Sequence, residues 1–120
     1  MAGEKTIIST SAAPPPLPQF VQAVKYNGIL FCSGSIGLDP ATGKIVEGTV
    51  ADRTIQALKN LSAVLEAGGS SLEQALKVNI YLTDMANFVT MNEAWDKVFT
   101  GSKPVSSRDE ADERRSGEWR

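Results

Sequence analysis

Between Leu76 and Phe99 the chain changes its hydrophobic period in the middle of a run. Leu76, Val78, Ile80 and Leu82 alternate with Lys77, Asn79, Tyr81 and Thr83, the period-two signature of a strand with one buried face. After Asp84 the apolar positions are Phe88, Met91, Trp95, Val98 and Phe99, steps of three and four that form one stripe about 100° wide on a helix. The spacing predicts a strand near 75–83 and a helix near 86–99, each with an apolar face that another layer must cover.

Upstream, two apolar runs, Val21 to Tyr26 and Ile29 to Ser33, flank Asn27-Gly28. A type I′ turn needs positive φ at both central residues, which Asn and Gly tolerate best, so this segment is expected to be a β-hairpin. Residues 4–10, EKTIIST, have the β-branched content of a short strand. Ala12 to Pro18, AAPPPLP, suits neither a helix nor a central strand, because proline removes donors and constrains its neighbours. An extended surface connector is expected there rather than a proline-rich ligand, since no basic residue flanks it.

The hairpin leads into Ser33-Gly34-Ser35-Ile36-Gly37 and a turn at Asp39-Pro40-Ala41-Thr42-Gly43. Backbone amides between the two glycines suit an anion, yet there is no GxxxxGK[ST] pattern and no helix begins at once. A strand end that twists or approaches another backbone accounts for the glycines equally well. Thr49 or Asp52 is placed to cap a helix near 51–67. Its stripe is Leu58, Leu61 and Leu65, flanked by Ile55 and Val64, and Gly68-Gly69 ends it. A short helical turn at Leu72-Glu73 then precedes the Leu76 strand. The order of strand, hairpin, helix, strand and helix gives an α+β class, a mixed sheet covered on one face by two helices. Val105 to Arg120, VSSRDEADERRSGEWR, has nine charged residues and one β-branched residue. That composition predicts a disordered or frayed tail, which sets one domain at 1–104 and a tail at 105–120.

Composition narrows the function. With 120 residues, 42% apolar and 22% charged, the chain reads as one globular domain, and its net charge of −2 gives no strong attraction to nucleic acid or anionic membrane. Cys32 is the single cysteine, so no internal disulfide forms and a reducing compartment is favoured. The absence of histidine excludes His-based triads and His metal sites. No apolar run approaches the roughly 18 residues of a membrane span. The opening MAGEKTIISTSAAPPP lacks a secretory layout and the arginines of a mitochondrial transit peptide, which favours the cytoplasm.

The hairpin VQAVKYNGILFCSG, the turn LDPATGKIVEG, the helix end NLSAVLEAGGSSLEQ and the segment KVNIYLTDMANFVTMNEAW together resemble the reactive intermediate deaminase family, also called Rid or YjgF. The similarity runs from about Pro18 to Pro104. It implies a chorismate-mutase-like fold, a homotrimer around a sheet-lined centre, and ligand clefts between neighbouring subunits. The implied activity is hydrolysis of 2-imino acids such as 2-iminobutanoate and 2-iminopropanoate to 2-keto acids and ammonia, with no metal or organic cofactor. Some relatives are described as endoribonucleases or translation inhibitors, a weaker reading here because the chain has no basic stripe or metal-ligand cluster.

Carried over by position, the resemblance places the family's cleft tyrosine at Phe20, which keeps the ring and loses the hydroxyl. Ser33 matches the family serine, Gly34 follows it, and Ser35 replaces a glutamine. Asn92 matches the asparagine of the second helix. After Pro104 the family continues Pro-x-Arg-[Ser/Thr]-Cys-Val and then forms a last strand with a glutamate. Here Ser106 stands at the arginine position and Arg108 at the cysteine position, and the last strand with its glutamate is expected to be missing. An altered reading frame near Val105 would explain the abrupt change.

A guanidinium holds a carboxylate bidentately far better than a hydroxyl does, and imine hydrolysis also needs an oriented water and a proton source. The expected outcome is an impaired imine hydrolase, with Ser33 as the retained catalytic candidate and Arg108 as a partial substitute two positions late on the same side of an extended chain. The expected ligand contacts are Phe20, Ser33, Gly34, Asn92 and Ser106. The alternative is a trimeric binding or scaffold protein without catalysis. Ser33 bonding its own backbone and Asn92 as a plain helix-surface residue stand beside the ligand roles, and Phe20 and Cys32 read first as packing residues.

Overall fold

A computed structural model describes residues 3–101 and 103–110, with side chains as far as Val105. Among these residues the order is β1 (Thr6–Ile8), β2 (Ala23–Tyr26), β3 (Ile29–Cys32), β4 (Leu38–Asp39), β5 (Lys44–Ile45), α1 (Val50–Ala67), β6 (Lys77–Leu82), α2 (Phe88–Val98) and β7 (Val105–Glu110). Single 3-10 turns occur at Leu72–Gln74 and Met85–Asn87. The class is α+β, as the alternating periods require.

Strands β1, β2 and β3 form an antiparallel sheet, with Ile7 opposite Val24 and Val24 opposite Phe31. Asn27 and Gly28 have φ of 50° and 77°, the left-handed values that close a two-residue type I′ hairpin. Strands β4 and β5 pair across the Asp39 to Gly43 turn, which is held by the Ala41 N–H donating to Asp39 Oδ1 at 2.8 Å. Strand β6 pairs in parallel with β7, and α2 forms the crossover between them.

Helix α1 divides two apolar cores. On one flank Leu58 joins Leu82, Met91, Trp95 and Phe99, with Val78 and Ile80 packed against them. Val78, Ile80 and Leu82 of the alternating strand therefore meet the three-four helical stripe as expected, whereas Leu76, expected on the same face, precedes β6 and is 76% exposed. The Trp95 and Phe99 rings stack at 4.4 Å. On the other flank Val64 joins Ile8, Ala13 and Ala23, with Leu30 and Cys32 against them. The C-terminus of α1 is a Schellman closure. Gly69 at φ 84° directs its own N–H to Glu66 O, and the Ser70 N–H reaches Leu65 O at 2.8 Å. Lys25 Nζ adds a hydrogen bond to Gly68 O at 3.1 Å, placing a cation where the helix dipole favours one.

At the other end of α1 the Thr49 N–H and hydroxyl donate to Asp52 Oδ2 at 2.8 and 3.2 Å. These bonds hold the Asp52 carboxyl below the usual carboxylate range. A depressed folded-state value means that the cap stabilises above the ordinary carboxylate pKa and is lost as pH falls through the folded one. Asp52→Ala is therefore expected to lower the thermal midpoint at pH 7, and the difference from the parent should close at the acid end of the titration. A difference that stays constant across that range would refute the assignment.

The sequence expectation of disorder after Pro104 is corrected by β7. Charge-rich residues of low β-propensity run as a strand because the Val105 N–H docks on Leu76 O at 3.0 Å and the whole segment registers against β6, from Lys77 opposite Val105 to Leu82 opposite Glu110. Tertiary pairing outweighs local preference. The ordered fold thus passes the boundary expected at residue 104. The rest of the expected tail, residues 111–120, lies outside the described residues, and so does the expected loss of the family's last strand.

Candidate functional site

The candidate site is built where the end of β3 meets the chain entering β2. Ser33 extends the hairpin by one residue, its N–H donating to Gln22 O at 3.0 Å. Its hydroxyl donates to Val21 O at 2.6 Å. With that hydrogen committed, the exposed Ser33 Oγ presents lone pairs and acts toward a ligand as an acceptor. Phe20 directly precedes Val21 and is 61% exposed, fixed by a turn in which its N–H donates to Leu17 O at 2.9 Å. Phe20 and Gly34 are thus the chain neighbours of Val21 and Ser33, the two residues that the Ser33 hydroxyl joins.

Gln22 anchors this arrangement from below. The side chain is 8% exposed. Its Oε1 accepts the Thr10 N–H at 2.7 Å, and its Nε2 donates to Thr10 O at 3.0 Å and Pro14 O at 2.9 Å. The proline stretch, expected as a connector laid on the surface, is thus pinned at its start, with Ala13 buried in the second core. Nothing in the local sequence marks Gln22, because its partners are 8 to 12 residues away and carry no side-chain signature.

The loop beyond Ser33 is tied to α1. Ser35 Oγ donates to Ala57 O at 2.6 Å, and Asn60, 4% exposed, reaches the carbonyls of Ile36 and Leu38. Cys32 packs into the second core, and burial pushes its thiol up, so it is a packing group and not a thiolate at neutral pH.

Other expected site residues stand apart. Asn92 is half-buried on α2, and among the described residues no hydrogen bond joins it to the Ser33 cluster. Ser106 and Arg108 occupy register positions opposite Val78 and Ile80 on β7. The chain therefore holds the expected residues in two groups, one at the hairpin end and one along the β6, α2 and β7 unit. An open depression of about 470 Å³ on the β4 and β5 hairpin is lined by Asp39, Thr42, Lys44, Ile45, Val46 and Glu47, none of them a candidate residue. Among the described residues no three His, Cys, Asp or Glu side chains converge to hold a metal ion, and no helix is long and apolar enough to cross a membrane.

A hairpin-led α+β domain with both helices behind its strands and a glycine-serine loop at the strand end defines the chorismate-mutase-like class. Within that class the chain belongs to the Rid/YjgF family, whose model, described as Endoribonuclease L-PSP, matches residues 10–113. A RutC family protein of Pyrococcus horikoshii is 46% identical over 101 residues, covering 84% of this chain and 80% of its own. A mouse protein named 2-iminobutanoate/2-iminopropanoate deaminase is 39% identical over 101 residues, with coverage of 84% and 75%. The crystal structure of E. coli TdcF with bound serine superimposes with a TM-score of 0.84 at 31% identity, covering 88% of this chain and 85% of that one.

Proposed function

We propose that this protein is an imine hydrolase acting on 2-imino acids such as 2-iminobutanoate and 2-iminopropanoate, with a weaker hold on the substrate carboxylate than relatives that carry arginine at the position of Ser106. The observation that carries the reading is the exposed Ser33 hydroxyl, bonded to the carbonyl of the residue that follows the exposed Phe20, in a chain 39% identical to a named deaminase. In the reaction water adds to the imine carbon, giving a carbinolamine, and the C–N bond then breaks to release ammonia and the 2-keto acid. Ser33 Oγ, as an acceptor, is suited to orient the attacking water or to take an N–H of the protonated imine. Phe20 supplies an apolar wall for the short alkyl group, and the exposed Gly34 has no side chain to obstruct a ligand.

The division of candidate residues into two groups supports assembly as a homotrimer, in which Asn92 and the β7 positions of one subunit complete a cleft begun by the Ser33 cluster of its neighbour. Arg108, two positions beyond Ser106 on β7, is our candidate cation for the carboxylate. An RNA-cleaving role has the family description behind it, but a net charge of −2 gives a polyanion no attraction. The experiment is a coupled assay in which an amino-acid oxidase generates the imine in situ and 2-keto acid formation is followed. The protein is expected to accelerate decay of the imine above the buffer rate in proportion to its concentration. A rate equal to buffer at micromolar folded protein would leave a binding or scaffold role in place of catalysis.

A further inference from the structure

We propose that Asn60 is a positioning residue for the candidate site, holding the loop that carries Ser33 and Gly34 in register with α1; its catalytic consequence rests on the imine-hydrolase reading above. Asn60 lies in the middle of α1 and is 4% exposed. A buried carboxamide is costly unless its polar atoms are matched, and here they are. Nδ2 donates to Ile36 O at 3.1 Å and to Leu38 O at 2.7 Å, while Oδ1 accepts from Gln56 Nε2 at 2.9 Å. The two carbonyls belong to residues on either side of Gly37, so one side chain spans the loop where it turns into β4.

The neighbouring contacts place Asn60 at the end of a row. Gly37 lies so close to the helix that a Cβ there would meet Arg53 Cα at 2.8 Å and Arg53 O at 2.9 Å. Ser35 Oγ bonds Ala57 O at 2.6 Å. Positions 53, 57 and 60 follow at steps of four and three, one stripe of the helix, and they meet residues 37, 35 and 36 to 38. From the loop Ser35 supplies one side-chain donor to this row, and from the helix Asn60 supplies two. The loop is paired at its two ends, where the Ser33 N–H bonds Gln22 O and Gly37 O accepts from the Val46 N–H, and the ties to α1 fix its course between those ends. Asn60 touches none of the proposed ligand groups and acts through the loop.

The test uses the full chain with Asn60→Asp, which keeps the shape and replaces both donors by an acceptor facing two carbonyls, and with Ser35→Ala, which removes one tie from an exposed position. Amide exchange is read at Leu38 and Val46, whose N–H groups bond Ile36 O and Gly37 O at 2.8 Å, and at Met91 and Trp95 in α2 as reference. Binding of 2-oxobutanoate is read from the Ser33 and Gly34 amide resonances, at a temperature where circular dichroism shows each variant folded. Asn60→Asp is expected to speed exchange at Leu38 and Val46 at least tenfold with the α2 amides unchanged, and to raise the Kd for 2-oxobutanoate about tenfold. Ser35→Ala should fall between it and the parent. Unchanged exchange at Leu38 and Val46 in both variants, or exchange that rises equally in α2, overturns the proposal. If the parent turns over no imine, the functional reading falls, and the exchange data still decide whether Asn60 holds the loop.

Discussion

Ser106→Arg is expected to raise kcat/KM for 2-iminobutanoate by on the order of a hundredfold. A guanidinium on a carboxylate supplies two charge-assisted hydrogen bonds of about 1.5–3 kcal/mol each, and about 1.4 kcal/mol is a factor of ten. Position 106 lies on β7 opposite Val78, so the new side chain starts from an ordered strand, and the two bonds cost no folding of a tail. The gain should appear chiefly as a lower KM, because the carboxylate is present in both the ground and the transition state. The comparison is run in the coupled assay at equal folded concentration, with Arg108→Ala made in both backgrounds. Equal rates for parent and Ser106→Arg would sink the weak-carboxylate reading. A parent that then loses activity on Arg108→Ala would show that Arg108 already supplies the grip from two positions along the strand.

Phe31→Glu is expected to convert a homotrimer into monomers while leaving the fold intact. Ile7, Val24 and Phe31 are neighbours in one row across β1, β2 and β3, on the side away from α1, and Ile7 and Phe31 are 60% and 61% exposed. Ile29, 46% exposed, continues the apolar surface two residues along β3 from Phe31. An isolated subunit gains little from these side chains, whereas covering each in an assembly contributes about 1.5–3 kcal/mol. A carboxylate in the centre of such a contact adds a desolvation cost with no partner. Sedimentation should report a trimer for the parent at micromolar concentration and a monomer for Phe31→Glu, with matching circular dichroism. A monomeric parent would contradict the assembly, and the activity expected of clefts between subunits would fall with it.

Much of the fold is legible because its signals are local. The 75–83 strand and the second helix show their period directly, and Asn27-Gly28 names its own turn. Gly68-Gly69 marks the end of α1, and its structural counterpart is a Schellman closure at Gly69. Strand β7 is illegible for the opposite reason. Its residues carry no β signal, and pairing with β6 across the intervening helix decides their conformation. The same distance hides Gln22 and Asn60, whose partners are backbone carbonyls that any sequence would offer. A polar residue within two positions of Leu58 and Leu61 was the one available hint for Asn60. The Ser33 cluster could be approached through family resemblance, but the direction of its hydrogen bond, which makes the oxygen an acceptor, requires coordinates.

The position of α1 between two cores makes the molecule divisible in only one sense. A fragment ending near residue 70 keeps β1, β2, β3 and α1, and with them the complete cluster of Ile8, Ala13, Ala23 and Val64. The complementary fragment keeps β6, α2 and β7 but lacks Leu58, the wall against which Met91, Trp95 and Phe99 close. The first piece carries its own template, and the second must borrow one. Complementation between halves is therefore expected to be directional, with Leu58 on the helix of the N-terminal half offering the surface against which Met91, Trp95 and Phe99 of the C-terminal half close.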